Sequence, residues 1–203
     1  MAKIVSVDSE NLGDSIDKAA KVILEDGIVV FPTRAFYGIG ANAFSFKAVE
    51  KVYHIKQRNY SQPILILIAD IKELAPLVRD VPASARDLIK RYWPGKVTLV
   101  FHAAKTLPDN LTGGTGKIGI RLVGHPVARE LVKAVGRPIT GTSANISGRP
   151  ACSTVDALDN EIVQKIDLVL DSGRLAGDIG STVIDVTVDP PKVLREGVVT
   201  FKQ

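Results

Sequence analysis

Along the chain, short apolar runs alternate with stretches in which apolar residues recur every three or four positions. Lys3–Val7 and Ile28–Phe31 read as strands. Between them Ile16, Ala19, Ala20, Ile23 and Leu24 fall on one face of a helix, with Asp14 as its expected cap. Phe46, Val49, Val52 and Tyr53 give a second helical face, for which Ser45 is the expected N-cap. Ile64–Ala69 is unbroken apolar, as in a strand covered on both faces. Helical patterns follow near Pro82–Tyr92 and Val127–Val135, with Pro82 and Pro126 in first-turn positions. Further strands read at Val97–His102, Ile118–Leu122, Leu168–Leu170, Thr182–Val186 and Val198–Phe201, and Leu111–Lys117 and Ser172–Gly180 read as loops. This interleaving predicts an α/β fold: a single domain over residues 1–203, with a twisted, mostly buried mixed sheet flanked by helices.

Composition narrows the classes. At 203 residues, 45% hydrophobic and 24% charged, the chain can bury a sizeable core and is not of the disordered type. The longest apolar run, Ile64–Ala69, is far short of the ~20 residues a membrane span needs. The N-terminus lacks the apolar stretch of a signal peptide, so a soluble cytoplasmic protein is expected. A net charge of +4 permits a phosphate-bearing partner without requiring one. Cys152 is the only cysteine, which excludes an intramolecular disulfide, and His54, His102 and His125 are scattered, so no metal site is expected. There is no Gly-x-x-x-x-Gly-Lys-Ser/Thr phosphate loop, and Gly113–Gly116 lacks the strand-before, helix-after setting of a dinucleotide site.

What remains is a set of polar motifs placed where apolar runs stop. Phe31-Pro32-Thr33-Arg34-Ala35-Phe36-Tyr37-Gly38-Ile39-Gly40 follows a strand directly, where open α/β sheets bind ligands; an ordinary turn with two glycines fits it equally. Lys56-Gln57-Arg58 sets two cations two residues apart, able to converge on one anion if the chain there is extended. The other reading is a solvated helix C-terminus complementing its dipole. Thr140–Gly148 carries small hydroxyls, an amide and flexible backbone N–H groups that suit phosphate oxygens, or simply a capped turn. Arg121 ends a strand, Ser181 begins one, and Arg195 lies just before Gly197.

In order along the chain these motifs are Pro32–Gly40, Lys56–Arg58, Tyr92–Thr98, Gly119–Arg121, Ser143–Gly148, Ser181–Thr182 and Arg195–Gly197. Together they resemble the YrdC-like family of L-threonylcarbamoyladenylate synthases. The resemblance implies a nucleotidyltransferase that combines L-threonine, bicarbonate and ATP into threonylcarbamoyl-AMP and pyrophosphate, with Mg²⁺ carried by ATP. The product feeds N6-threonylcarbamoylation of adenosine in tRNA, through downstream threonylcarbamoyl-transfer proteins. By the same resemblance Lys56 and Arg58 carry the catalysis, Lys56, Arg58, Ser143, Asn145 and Arg195 hold ATP, and Thr33, Ala35, Arg121 and Ser181 hold threonine. The sequence departs from the family pattern at Arg34, where acidic residues are usual, and at Ala35, where many members have Thr. Gln62 and Leu67 stand where many long members carry Asn and His, and the chain reads as the short form without a C-terminal extension. Two alternatives stay open: a same-fold paralogue that binds tRNA or double-stranded RNA without synthase activity, and a module of carbamoyl-transfer chemistry.

Overall fold

The computed structural model describes residues 2–201. Its elements run β1 (Lys3–Ser6), α1 (Leu12–Leu24), β2 (Val29–Pro32), β3 (Tyr37–Gly40), α2 (Phe46–Lys56), β4 (Ile66–Ile68), α3 (Ala83–Tyr92) and β5 (Val97–His102). There follow β6 (Lys117–Leu122), α4 (Pro126–Val135), β7 (Ile139–Thr140), β8 (Thr142–Ser143), α5 (Asn160–Val163), β9 (Leu168–Asp171), β10 (Thr182–Asp185) and β11 (Lys192–Arg195). The α/β architecture with mixed strands is as the pattern predicts. Hydrogen bonding divides the strands between two sheets, ordered β1-β9-β2-β3-β8 and β11-β10-β5-β6-β4-β7. Each combines parallel and antiparallel pairs.

Three local expectations need correction. Helix α1 starts at Leu12, so Asp14 lies in its first turn, where a carboxylate complements the dipole, instead of capping it. Phe31–Gly40 is a tight β2–β3 hairpin, with Val30 paired to Ile39 and Pro32 to Tyr37. The C-terminal strand is Lys192–Arg195, not Val198–Phe201. Val198 and Val199 are held by backbone and side-chain bonds to Gly180 and Thr182 instead. Ser45 caps α2 as expected, its hydroxyl accepting from the Ala48 amide at 3.2 Å.

One apolar cluster fills the space between the sheets and under α2 and α3, with Tyr37, Tyr53, Ile66, Phe101 and Ile120 buried in it. A second lies under the packed pair α1 and α4, whose Ile16, Ile23, Leu131 and Val132 cover Phe31, Leu67 and Leu170. Between β7 and β8 the chain passes from one sheet to the other in a single residue, Gly141. A Cβ there would sit 2.5 Å from Leu67 Cγ, so only glycine lets the sheets meet this closely. No helix among the described residues is long and apolar enough to cross a membrane.

Candidate functional site

Where the sheets diverge from Gly141 they leave a cleft of about 640 Å³. One wall is the β2–β3 hairpin and β8, contributing Thr33–Gly38, Thr142 and Ser143. The floor is a face of the second sheet. Its register sets Thr182, Val183 and Ile184 beside Val97, Thr98 and Leu99, and Leu99 and Val100 opposite Ile120 and Gly119. Side chains at alternate positions share a face, so Val183, Thr98, Val100, Gly119 and Arg121 form one surface, and all five line the cleft. A Cβ on Gly119 would lie 3.2 Å from both Leu65 Cβ and Thr98 Cγ2, so glycine keeps the centre of the floor open.

Arginines converge on this space. Arg58, Arg121, Arg195 and Arg34 all line it. Arg58 is clamped along one edge, Nε donating to the Gln62 carbonyl at 3.2 Å and Nη2 to the Pro63 carbonyl at 2.9 Å. Arg195 Nη2 donates to the Ser181 carbonyl at 2.9 Å. Backbone carbonyls thus orient both guanidiniums while leaving their other N–H groups for a ligand. Arg121 has no hydrogen-bond or ion-pair partner among the described residues. Burial, with Arg195 and Arg34 nearby, pushes it down to about 10. Burial likewise lowers Arg58 and Arg195, and the Arg195 charge adds to the shift at Arg58. Guanidiniums held together with no carboxylate paired to them among the described residues repel one another, and an entering anion relieves that repulsion.

Arg34 is the exception. Its Nη1 pairs with Asp178 at 3.0 Å and its Nη2 donates to the Ile179 carbonyl. With the Gly177 amide bonded to the Ala35 carbonyl at 2.9 Å, this straps residues 173–180 onto the hairpin. The base of the strap is fixed by the buried Tyr37 hydroxyl, which bonds the Gly173 carbonyl at 2.7 Å and accepts from the Ser172 amide. Burial is the largest of the influences that push this phenol up to about 12.

The residues assigned from the sequence fall into two layers. Arg58, Ser143, Arg195, Thr33, Ala35, Arg121 and Ser181 all line the cleft. The Thr33 hydroxyl is spent on the hairpin, donating to the Phe36 carbonyl at 2.6 Å. Lys56 and Asn145 stand behind the wall. Gln57, in the left-handed region at φ 49°, ends α2 and turns the chain, so Lys56 dips beneath β8 while Arg58 swings into the cleft. Lys56 Nζ donates to the Ser143 carbonyl at 2.5 Å and the Asn145 carbonyl at 2.7 Å. Burial, then the Arg58 charge, pushes this amine down to about 7. A neutral amine could not satisfy the oxygens around it, so the geometry favours the ammonium form.

Thr98 carries more than its motif suggested: its hydroxyl lies 2.9 Å from Ser181 Oγ, joining β5 to β10 under the cleft. Lys117, at the far end of the floor, pairs with Asp185 at 2.8 Å. Nothing in the spacing could have paired residues on β6 and β10. Cys152 is buried, its thiol directed at the Ala144 carbonyl and pushed up by burial, so it is no nucleophile.

Comparison with known proteins supplies the context. The family model Sua5_yciO_yrdC, described as telomere recombination, matches residues 21–197. A relative from Pyrococcus abyssi named threonylcarbamoyl-AMP synthase is 38% identical over 88% of this chain and 53% of its own. The chain spans about half the length of this relative and of one from Bacillus subtilis that bears the same name. The crystal structure of P. abyssi Sua5 complexed with L-threonine superposes with a TM-score of 0.90 at 36% identity, over 97% of this chain and 57% of that one. That of Escherichia coli YciO superposes at 0.84 and 28% identity, over 98% of this chain and 97% of that one.

Proposed function

The chain belongs to the Sua5/YciO/YrdC family, and from that premise we propose that it is an L-threonylcarbamoyl-AMP synthase acting on ATP, L-threonine and bicarbonate. The observation that carries the reading is the convergence of Arg58, Arg121 and Arg195 on one cleft, none of them in an ion pair with a carboxylate among the described residues. Such a site suits a polyphosphate and a carboxylate held side by side. The bound threonine of the P. abyssi structure supports the amino-acid half of the assignment.

In this reading Arg58 and Arg195, with the Ser143 hydroxyl, hold the ATP phosphates, and Lys56 and Asn145 serve the same side from behind. Arg121 forks onto the threonine carboxylate, flanked by Ser181, Ala35 and the Thr33 turn. The threonine amine adds to CO₂ derived from bicarbonate, its lost proton neutralising the hydroxide that bicarbonate releases, and a carbamate oxygen then attacks the α-phosphorus as pyrophosphate leaves. No protein nucleophile is required. The chain contributes position, and fixed positive charge where the phosphate negative charge grows. No three His, Cys, Asp or Glu side chains among the described residues converge into a metal cage. Magnesium would be carried by the ATP phosphates, and Glu196 is a carboxylate that lines the cleft. The product would pass to threonylcarbamoyl-transfer proteins acting on tRNA, which sets the reaction in the cytoplasm.

The RNA-binding alternative rested on the departures at Arg34 and Ala35; of these, Arg34 is paired with Asp178, while Ala35 lines the cleft. Incubation with ATP, Mg²⁺, L-threonine and bicarbonate should release pyrophosphate only when threonine is present. Release that ignores threonine would refute the proposal. Salt-sensitive RNA retention without ATP binding would favour the RNA reading.

A further inference from the structure

Lys56 is a lysine with only 2% of its surface exposed, and among the described residues no carboxylate pairs with it. Burying an ammonium is costly unless each N–H finds an acceptor. Here each does: the Ser143 carbonyl at 2.5 Å, the Asn145 carbonyl at 2.7 Å and Asn145 Oδ1 at 3.3 Å. The same Oδ1 accepts the Ser143 hydroxyl proton at 2.5 Å. Asn145 cannot turn away, because its Nδ2 donates to the Ile146 carbonyl at 3.0 Å and the Arg149 carbonyl at 2.5 Å.

This arrangement poses a problem for anion binding. Ser143 lines the cleft, yet its one side-chain proton points backwards into Asn145. Facing a phosphate it would present lone pairs. To donate, the hydroxyl must rotate and abandon Asn145 Oδ1, and without another donor that half-buried oxygen would go unpaired. Lys56 already holds that oxygen.

We propose, resting on the ATP reading above, that Lys56 is a positioning residue that keeps Asn145 Oδ1 hydrogen-bonded while the Ser143 hydroxyl rotates to donate to a phosphate oxygen. Lys56 therefore acts on the nucleotide through Ser143, without touching it.

Calorimetry with a non-hydrolysable ATP analogue, and separately with L-threonine, tests this on the wild type, Lys56→Met, Ser143→Ala and the double variant. Each single substitution should weaken the analogue about tenfold, the cost of one unpaired or missing polar group. The double variant should lose no more than either single one, and threonine affinity should stay within about twofold, as a general loss of structure would not allow. Losses that multiply to about a hundredfold would mean that Lys56 meets the ligand independently, and would overturn the proposal. Lys56→Gln, which keeps two N–H donors, covers the case in which the methionine variant does not fold. It should bind the analogue at least as well as Lys56→Met beside Ser143, and change nothing in the Ser143→Ala background; a further loss in that background also overturns the proposal. A wild type that binds no ATP analogue would defeat the ATP reading and this inference together, whereas binding with multiplying losses defeats the inference alone.

Discussion

Gly197→Ala is the substitution whose consequence can be worked out most fully. A Cβ at this position would stand 2.4 Å from the Thr182 amide nitrogen, 2.5 Å from the Ser181 carbonyl carbon and 2.6 Å from the Gly180 oxygen. Ordinary contact begins near 3.4 Å, so the two segments must part by about 1 Å. All three obstacles are backbone and cannot rotate aside. Their separation strains the bonds that knit the segments together: Val198 N–H to the Gly180 carbonyl at 3.0 Å and the Thr182 hydroxyl to the Val199 carbonyl at 2.7 Å. It also draws Arg195 away from the Ser181 carbonyl that orients it. Overpacking of this kind costs about 2–3 kcal/mol, which for a chain of this size lowers the melting temperature by about 5–10 °C. Loss of one oriented guanidinium should weaken an ATP analogue about tenfold. Differential scanning calorimetry and titration calorimetry read the two effects. Gly13→Ala is the control, since nothing lies within 4 Å of its Cβ position and it sits inside α1, where alanine is the better helix former. That variant should melt slightly higher than the parent. A Gly197→Ala protein that melts within 1 °C of the parent and binds the analogue equally well would refute the argument.

Arg121→Met removes a guanidinium that has no partner among the described residues and two like-charged neighbours. The melting temperature should hold or rise while threonine-dependent pyrophosphate release falls at least tenfold; a destabilised but fully active variant would contradict the assigned role. At Asp185, burial would raise the carboxyl, but Lys117 and Thr187 outweigh it and hold the group below its usual range. A depressed carboxylate stabilises the fold above its unfolded value near pH ~4, and that stabilisation is lost as pH falls through the depressed value. Asp185→Asn should flatten this acid limb of the stability profile, and an unchanged limb would count against the pair. Asp178→Asn unlatches Arg34 from the strap that holds the exposed Arg174. Trypsin should then cut after Arg174 faster than in the parent, an outcome that mass spectrometry of the fragments can deny.

The elements that announced themselves in the sequence are those whose stability is local. Helix α4 shows its buried stripe at Val127, Ala128, Leu131, Val132 and Val135, with Pro126 at its start and Gly136 in the left-handed region at its end. Ser45 caps the helix it precedes. The β2–β3 hairpin was harder to read, because its turn residues Thr33–Phe36 look the same whether the chain returns as a strand or leaves as a loop. β11 escaped for another reason: Lys192 and Leu194 are exposed, so no buried face imposes alternation on the sequence.

The order and chemistry of the motifs lie in the sequence alone, and it was the family resemblance they carry that grouped Arg58, Arg121, Ser143, Ser181 and Arg195 into one candidate site. Which of two cations in Lys56-Gln57-Arg58 faces the ligand was decided only in three dimensions. The left-handed Gln57 sends them apart, and the carbonyls that capture Lys56 come from residues almost ninety positions away. The division into two sheets at Gly141, the latch between Arg34 and Asp178, and the pairing of Lys117 with Asp185 have the same origin. Local pattern records what a residue demands of its neighbours in the chain; long-range contacts determine which charges are spent inside the protein and which are left for a substrate.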